Sequence, residues 1–507
     1  MMNTAFSCAL NGLDPAVVQV EVDLSNGLPR CDIVGLPDST VQEAKERMRS
    51  AIRNSGFDFP VSRITINLAP ADLRKEGSGF DLAMALGILA ASFQVPAEAL
   101  SEFLIIGELG LNGSIRSIPG VLAMAALLHR KEGLKKIILP VLNVEEAAVF
   151  SDLTVWPVRS LREAVTVLNE WPPAYRQKIE WNPNGKWPHD FKEVKGQEQL
   201  KRAFEIAAAG GHNLLMVGPP GGGKTMLASR FPGILPTPGF EECLEISKVR
   251  SISGLSPDEK VLTNHRPFRS PHCGVSFAGM VGGGNPIRPG ELTLAHRGVL
   301  FMDELPQFHK DILEALRQPL EEKQVTVVRA SGTITYPSDF LLVAAMNPCP
   351  CGYHGDLKHP CICSPGERLH YRKRISGPIW DRIDLHVEVS PVAIETLYDE
   401  AESESSAHIK SRVEAARNIQ EMRFSDCMRT NSAMGPEGLE RFCEIPAGSR
   451  MLLKVAFDRF HWSARGYSKI LKIARTIADL AGSEKIEEMH LAEALTYRVL
   501  DRNPLFE

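Results

Sequence analysis

Gly218-Pro219-Pro220-Gly221-Gly222-Gly223-Lys224-Thr225 matches the pattern G-x-x-x-x-G-K-[ST] at every fixed position. The apolar run Asn213-Leu214-Leu215-Met216-Val217 before it predicts a buried strand, and Met226-Leu227-Ala228-Ser229-Arg230 after it predicts the opening of a helix. That is the context a phosphate-binding loop requires. Glycines let the backbone turn its N–H groups inward around a phosphate, and the helix that follows presents its positive end. Lys224 is then expected to neutralise the β- and γ-phosphates of ATP, and the Thr225 hydroxyl to ligate Mg²⁺.

Two further strand ends supply what such a loop lacks. Val299-Leu300-Phe301-Met302 runs into Asp303-Glu304, which places an acidic pair at the carboxyl end of a buried strand. Asp303 suits the Mg²⁺ shell, and Glu304 suits polarisation of an attacking water. The run Phe340 to Met346 ends in Asn347, a neutral side chain able to orient that water.

At this point the chain resembles the YifB/ComM group of magnesium-chelatase-like AAA+ ATPases. The resemblance rests on those motifs and on Gly196-Gln197-Glu198, Ala207 to Asn213, Arg266 to His272, Val281 to Gly284, Leu294 to Gly298 and Asp381 to Leu385. It implies a homo-oligomeric ring, expected to be a hexamer, with ATP bound between neighbours. Arg382 matches the arginine finger that reaches the adjacent subunit's site, and Arg465 the lid arginine called sensor 2. A guanidinium suits both roles because it stays charged and spreads several donors over phosphate oxygens. The residues leave other readings open: Arg382 could pair with Asp381 or Asp384, and Arg475 competes for the lid role. Relatives usually carry two adjacent histidines where this chain has His272-Cys273.

The 507 residues predict about three domains, and 57 basic against 62 acidic residues give no global attraction to nucleic acid. Contact with DNA must therefore be local, as inside a pore. No apolar stretch is long enough to span a bilayer, no basic-then-apolar leader opens the chain, and a cytoplasmic location without membrane contact is expected.

The expected fold is α/β throughout its first two parts. Residues 1–170 alternate strand-like and helix-like segments without a phosphate loop and resemble the proteolytic domain of Lon, chiefly at Lys75 to Asp81 and Ser117 to Gly120. Lon-type chemistry needs a serine and a lysine. Those positions fall on Gly79 and Leu122, so a non-proteolytic scaffold is expected, although Ser78 lies one place away. A stiff linker rich in proline and tryptophan, residues 171–189, leads to an AAA+ core at 190–390 and a helical lid at 391–507.

Two insertions would face a ring's channel if the resemblance holds. One lies within His272 to Pro289 and contains Phe277, Gly282-Gly283-Gly284 and Arg288. The other comprises two β-prone runs about Arg329-Ala330-Ser331-Gly332, a hairpin signal with Arg329 as the candidate phosphate contact. Cys349, Cys351, Cys361 and Cys363 form C-x-C, nine residues, C-x-C, with His354 and His359 between them. Paired reduced thiols favour a structural Zn²⁺ over disulfides, with an iron–sulfur cluster or free thiols as alternatives.

The expected function is an ATP hydrolase that translocates on single-stranded or branched DNA, a branch-migration helicase of recombination and natural transformation. The alternatives are a chelatase-type motor for metal insertion into a tetrapyrrole and a protein-remodelling ATPase. Net charge decides none of these.

Overall fold

The computed structural model describes residues 2–176, 181–182, 185, 187–254, 261–329, 332–356, 359–390, 403–426, 428–446, 448–460 and 464–498. Ala330 and Ser331 of the hairpin turn, parts of the linker, and residues 391–402 and 499–507 of the expected lid lie outside the described residues.

The leading part is built on a seven-stranded sheet in the order Arg30–Val34, Arg63–Ala69, Asp14–Ser25, Met2–Asn11, Phe103–Ile105, Lys136–Pro140 and Thr154–Val158. Met2–Asn11 and Asp14–Ser25 form a long antiparallel hairpin about Gly12, and the strands beyond Met2–Asn11 run parallel to it and to one another. Asp81–Ala91 is apolar on every face apart from Asp81 and is wholly buried against the hairpin, which is why it shows no amphipathic stripe. Ser39–Asn54 begins at Asp38, whose carboxylate accepts from the Val41 N–H and satisfies a helix-end donor.

The second part carries five short strands, all parallel, in the order Phe268–Arg269, Val299–Met302, Leu341–Met346, Leu214–Val217 and Leu385–Glu388. Val299–Met302 and Leu214–Val217 are buried at every residue, as expected of parallel strands covered on both faces. The C-terminal helices Ser406–Phe424 and Ala464–Leu480 pack on Glu198–Gly210 and share one apolar core with this sheet. The two insertions form a short antiparallel ribbon, Gly282–Gly283 with Arg288–Pro289, and the hairpin Gln324–Arg329 with Gly332–Pro337.

The two sheets are joined by more than the linker. Gly120 N–H donates to Ser251 O at 3.2 Å and Oγ at 3.0 Å, and Ser251 Oγ donates to Glu146 at 2.5 Å. The hairpin Gly332–Pro337 also reaches the leading sheet: a Cβ at Gly12 would stand 2.5 Å from Ile334 Cγ2.

Candidate nucleotide site

Parallel strands release their next residues at one edge, so Gly218, Asp303 and Asn347 emerge side by side. Gly218 N–H donates to Met346 O at 3.2 Å and closes the gap between two of these ends. Gly221 and Gly223 both have φ of +79°, in the region that side chains resist, and nothing stands within 4 Å of a Cβ placed on Gly221. Lys224, the buried first residue of the helix Lys224–Arg230, donates to Gly218 O at 2.6 Å, Pro219 O at 2.8 Å and Asn347 Oδ1 at 3.4 Å. Burial lowers its pKa from the ordinary lysine value, while Asp303 and Glu304 act in the opposite sense. Thr225 Oγ1 donates to Asp303 Oδ2 at 2.7 Å, so two hard oxygen donors of the kind Mg²⁺ takes converge beside the lysine. Glu304 is exposed at φ +52°, and no hydrogen-bond partner holds its carboxylate among the described residues.

Gln197 is a member of this site that the sequence offered only as part of a family stretch. At φ +59° its amide donates to Gly222 O at 3.3 Å and Ser390 O at 2.7 Å, tying the loop to the end of the strand Leu385–Glu388. No spacing or periodicity announces such a clamp.

Arg382 stands elsewhere. It precedes Leu385–Glu388, and its carbonyl accepts from Asn213 Nδ2 at 3.1 Å, just before Leu214–Val217 begins. From Asn213 to Gly218 the chain climbs about 16 Å, well beyond the reach of an arginine side chain. The guanidinium pairs with Glu321 and donates to Pro378 O at 2.5 Å, and is not paired with Asp381 or Asp384. Arg465, in the first turn of Ala464–Leu480, acts on the same Glu321. Arg382 thus lies at the amino edge, apart from its own chain's phosphate loop, and the charge of Arg465 helps to hold the Glu321 carboxyl below its ordinary pKa. Arg475, the competitor for the lid role, is 2% exposed and held by Asp479 at 3.0 Å and by two carbonyls.

The sulfurs of Cys349, Cys351, Cys361 and Cys363 all lie within 4.8 Å of one another. Cys349 stands 3.3 Å from Cys351 and 3.7 Å from Cys361, and Cys351 stands 3.6 Å from Cys361. These separations far exceed a disulfide bond and approach the edge of about 3.8 Å that four Zn–S bonds of 2.3 Å give in a tetrahedron. Burial pushes the Cys349 thiol up to about 12, whereas the Tyr353 backbone N–H, first among several donors, brings Cys351 down to about 6. The histidines are engaged elsewhere: His354 with Arg368 at 2.8 Å and His359 with Asp356 at 3.5 Å. The donor set is four thiols, and it adjoins the nucleotide loop, since a Cβ at Gly352 would stand 2.9 Å from Pro220 Cδ.

Arg329 ends the hairpin strand Gln324–Arg329 and is exposed. A Cβ at Gly283 would stand 3.0 Å from its Nη2, and Gly283 pairs with exposed Arg288 across the ribbon. The two insertions therefore meet at Gly283, where Arg329 approaches the ribbon that carries Arg288.

Three family profiles match the chain: magnesium chelatase subunit ChlI over residues 190–397, a second ChlI profile over 20–143, and the ChlI C-terminal profile over 403–498. The Escherichia coli protein YifB is 43% identical over 97% of this chain and 96% of its own length. The Haemophilus influenzae competence protein ComM is 42% identical over 98% of this chain and 97% of its own. The 38 kDa subunit of Rhodobacter capsulatus magnesium chelatase is 26% identical over 62% of this chain and 89% of its own.

Proposed function

Because the chain belongs to the YifB/ComM family of magnesium-chelatase-like AAA+ ATPases, we propose that it is a ring-forming motor that hydrolyses ATP to move on DNA, a branch-migration helicase of the kind that serves recombination and natural transformation. The observation that carries the ring is the division of one site between two edges of one sheet. Lys224, Thr225, Asp303, Glu304 and Asn347 line the carboxyl edge, while Arg382, whose partner Glu321 also feels the charge of Arg465, waits at the amino edge a strand's length away. Closing subunits head to tail, expected to number six, brings one subunit's arginines to the next subunit's triphosphate.

In such a site Lys224 and the loop N–H groups hold the β- and γ-phosphates. Thr225 and Asp303 hold Mg²⁺, which offsets charge on the phosphate oxygens. Glu304 takes the proton of the attacking water, Asn347 orients that water, and the two arginines stabilise the charge of the transferring phosphoryl group. The four thiols hold Zn²⁺ as a structural ion that fixes the loop between Asn347 and Arg382.

Two features support DNA as the track. The likeness to the competence protein ComM covers almost the whole chain, whereas that to the chelatase subunit covers 62% of it. Exposed Arg288 and Arg329 offer two phosphate contacts on the insertions, in a chain of net charge −5. The test is the ATPase rate with forked DNA, single-stranded DNA and unfolded protein, together with unwinding of the fork. Forked DNA is expected to stimulate hydrolysis several-fold and to be unwound. A rate that ignores DNA at low salt but rises with unfolded protein would replace the helicase with a protein remodeller, and a rate indifferent to both would favour the chelatase-type motor.

A further inference from the structure

The loop that carries Arg382 is gripped by side chains at each of its carbonyls. Asp381 O accepts from Lys469 Nζ. Arg382 O accepts from Asn213 Nδ2 at 3.1 Å. Ile383 O accepts from Lys469 Nζ at 3.0 Å and from Arg498 Nη1 at 2.8 Å, and Asp384 O from Arg498 Nη1 at 3.3 Å. Backbone carbonyls in a loop ordinarily turn to water or to a neighbouring strand, and four in succession taken by cationic or amide side chains define a rigid seat.

Two of the three donors come from the C-terminal helices. Lys469 lies in Ala464–Leu480, one turn beyond Arg465, and Arg498 follows Glu488–Thr496. Lys469 also pairs with the Asp384 carboxylate at 3.1 Å, with both side chains at least 85% buried. The other oxygen of Asp384 accepts from Asn213 N–H at 3.2 Å and faces His212 Nδ1 at 3.5 Å. His212 in turn meets Thr476 Oγ1 of the same C-terminal helix at 2.9 Å. Lys469 thereby holds the loop by two carbonyls and a carboxylate at once. A small rotation of Ala464–Leu480 would move the Arg382 backbone with it.

We propose that Lys469 is a positioning residue for Arg382, so that the C-terminal helices of each subunit set the arginine which that subunit inserts into its neighbour's nucleotide site. This rests on the proposed action of Arg382 across the subunit boundary. ATP binding by a subunit would not need its own Lys469, whereas hydrolysis in the adjacent subunit would. A misplacement of about 1 Å at such a group can reduce turnover on the order of 100-fold.

The experiment compares full-length Lys469→Met, Lys469→Arg and Arg498→Gln rings with the unmutated ring. Lys469→Met is expected to lower kcat about tenfold or more with KM for ATP changed less than about twofold. Lys469→Arg, which keeps the charge, should recover part of the rate. Arg498→Gln gives a second, milder loosening of the same seat should Lys469→Met prove poorly folded by its melting curve. In mixed rings Lys469→Met chains should regain activity with Glu304→Gln chains, which bring an intact arginine loop, and should gain none with Arg382→Ala chains. Arg382→Ala mixed with Glu304→Gln, run in parallel, tests the boundary reading by itself: no recovery there removes that reading and this one with it. Recovery there, with Lys469→Met and Arg498→Gln at the unmutated rate or left unrescued by Glu304→Gln, overturns the positioning role alone.

Discussion

Two sheets faced by helices differ, among the described residues, in the carboxylates beside them. Beside the leading sheet Asp81 and Glu108 are held by side-chain partners, although Ser7 Oγ on Met2–Asn11 is buried with none. Asp81, its side chain 1% exposed, is held by Arg47 Nε at 2.7 Å and Nη2 at 3.1 Å and by Leu109 N–H at 3.3 Å. Ser78 Oγ donates to Glu108, and Leu122 is buried. In the second sheet the strand ends keep capacity in reserve: Glu304 is exposed with its carboxylate unheld among the described residues, and the open side of Gly221 faces nothing within 4 Å. Polar groups left available at strand ends are what a reacting site needs, and the layered architecture by itself does not supply them.

The contrast is broken most directly by matched substitutions at the two sheets. Lys224→Ala is expected to abolish tight nucleotide binding, and Glu304→Gln to bind ATP while hydrolysing it at least about 100-fold more slowly. Ser78→Ala should leave hydrolysis within about twofold, and no cleavage of unfolded protein should accompany either sheet. Nucleotide binding and steady-state phosphate release read these outcomes. Peptide cleavage that disappears in Ser78→Ala would show that the leading sheet is an enzyme after all.

A smaller effect is expected at the four thiols, which tie the two strand-end residues Asn347 and Arg382 to one loop. Cys349→Ser with Cys351→Ser should release about one zinc per chain by elemental analysis, lower the melting temperature and slow hydrolysis about tenfold. The slowing would come through Gly352, which packs on Pro220 of the phosphate loop, and Tyr371, pushed up to about 12 by burial and bonded to the Asn347 backbone. Purified protein that holds iron would assign a cluster, and protein that holds no metal and melts unchanged in strong chelator would remove the metal site.

The carboxyl edge of the second sheet was legible because its signals are local: glycines beside a lysine, and acids directly after an apolar run. The helical C-terminal pattern and the hairpin were legible for the same reason: the expected helical region holds Ser406–Phe424 and Ala464–Leu480, and the two β-prone runs pair as Gln324–Arg329 and Gly332–Pro337. Met2–Asn11 is hard to read because Asn3, Thr4 and Ser7 interrupt its apolar run, and its place is fixed by the partner strand across Gly12. Thr154–Val158 is hard to read because it is short and contains Pro157. The amino edge was the least legible part. Glu321 and Arg382 are paired by tertiary packing alone, and nothing in their spacing forecasts it. Likewise, His354 and His359 stand beside Arg368 and Asp356, whose approach no motif records.

The smallest effects are expected where the two sheets meet, and they decide how far the leading sheet is only a support. The hairpin that bears Arg329 rests by Ile334 and Tyr336 on Gly12, whose φ of +64° and whose 2.5 Å and 3.4 Å approaches leave no room for a side chain. Arg329→Ala should remove a single phosphate contact, reducing the slope of log affinity against log salt by about 1 and weakening DNA binding a few-fold, with DNA-free hydrolysis unchanged. Gly12→Val touches no nucleotide and no DNA, yet it should unseat the hairpin and reduce DNA stimulation of hydrolysis by a similar few-fold factor, again without altering the DNA-free rate. Measured together, the two variants separate the contact from its seat. If Gly12→Val responds to DNA as the unmutated ring does while Arg329→Ala does not, the hairpin holds its own shape and the leading sheet contributes nothing to the grip. If both respond normally, the track is not held by this hairpin, and Arg288 on the neighbouring ribbon becomes the next contact to remove.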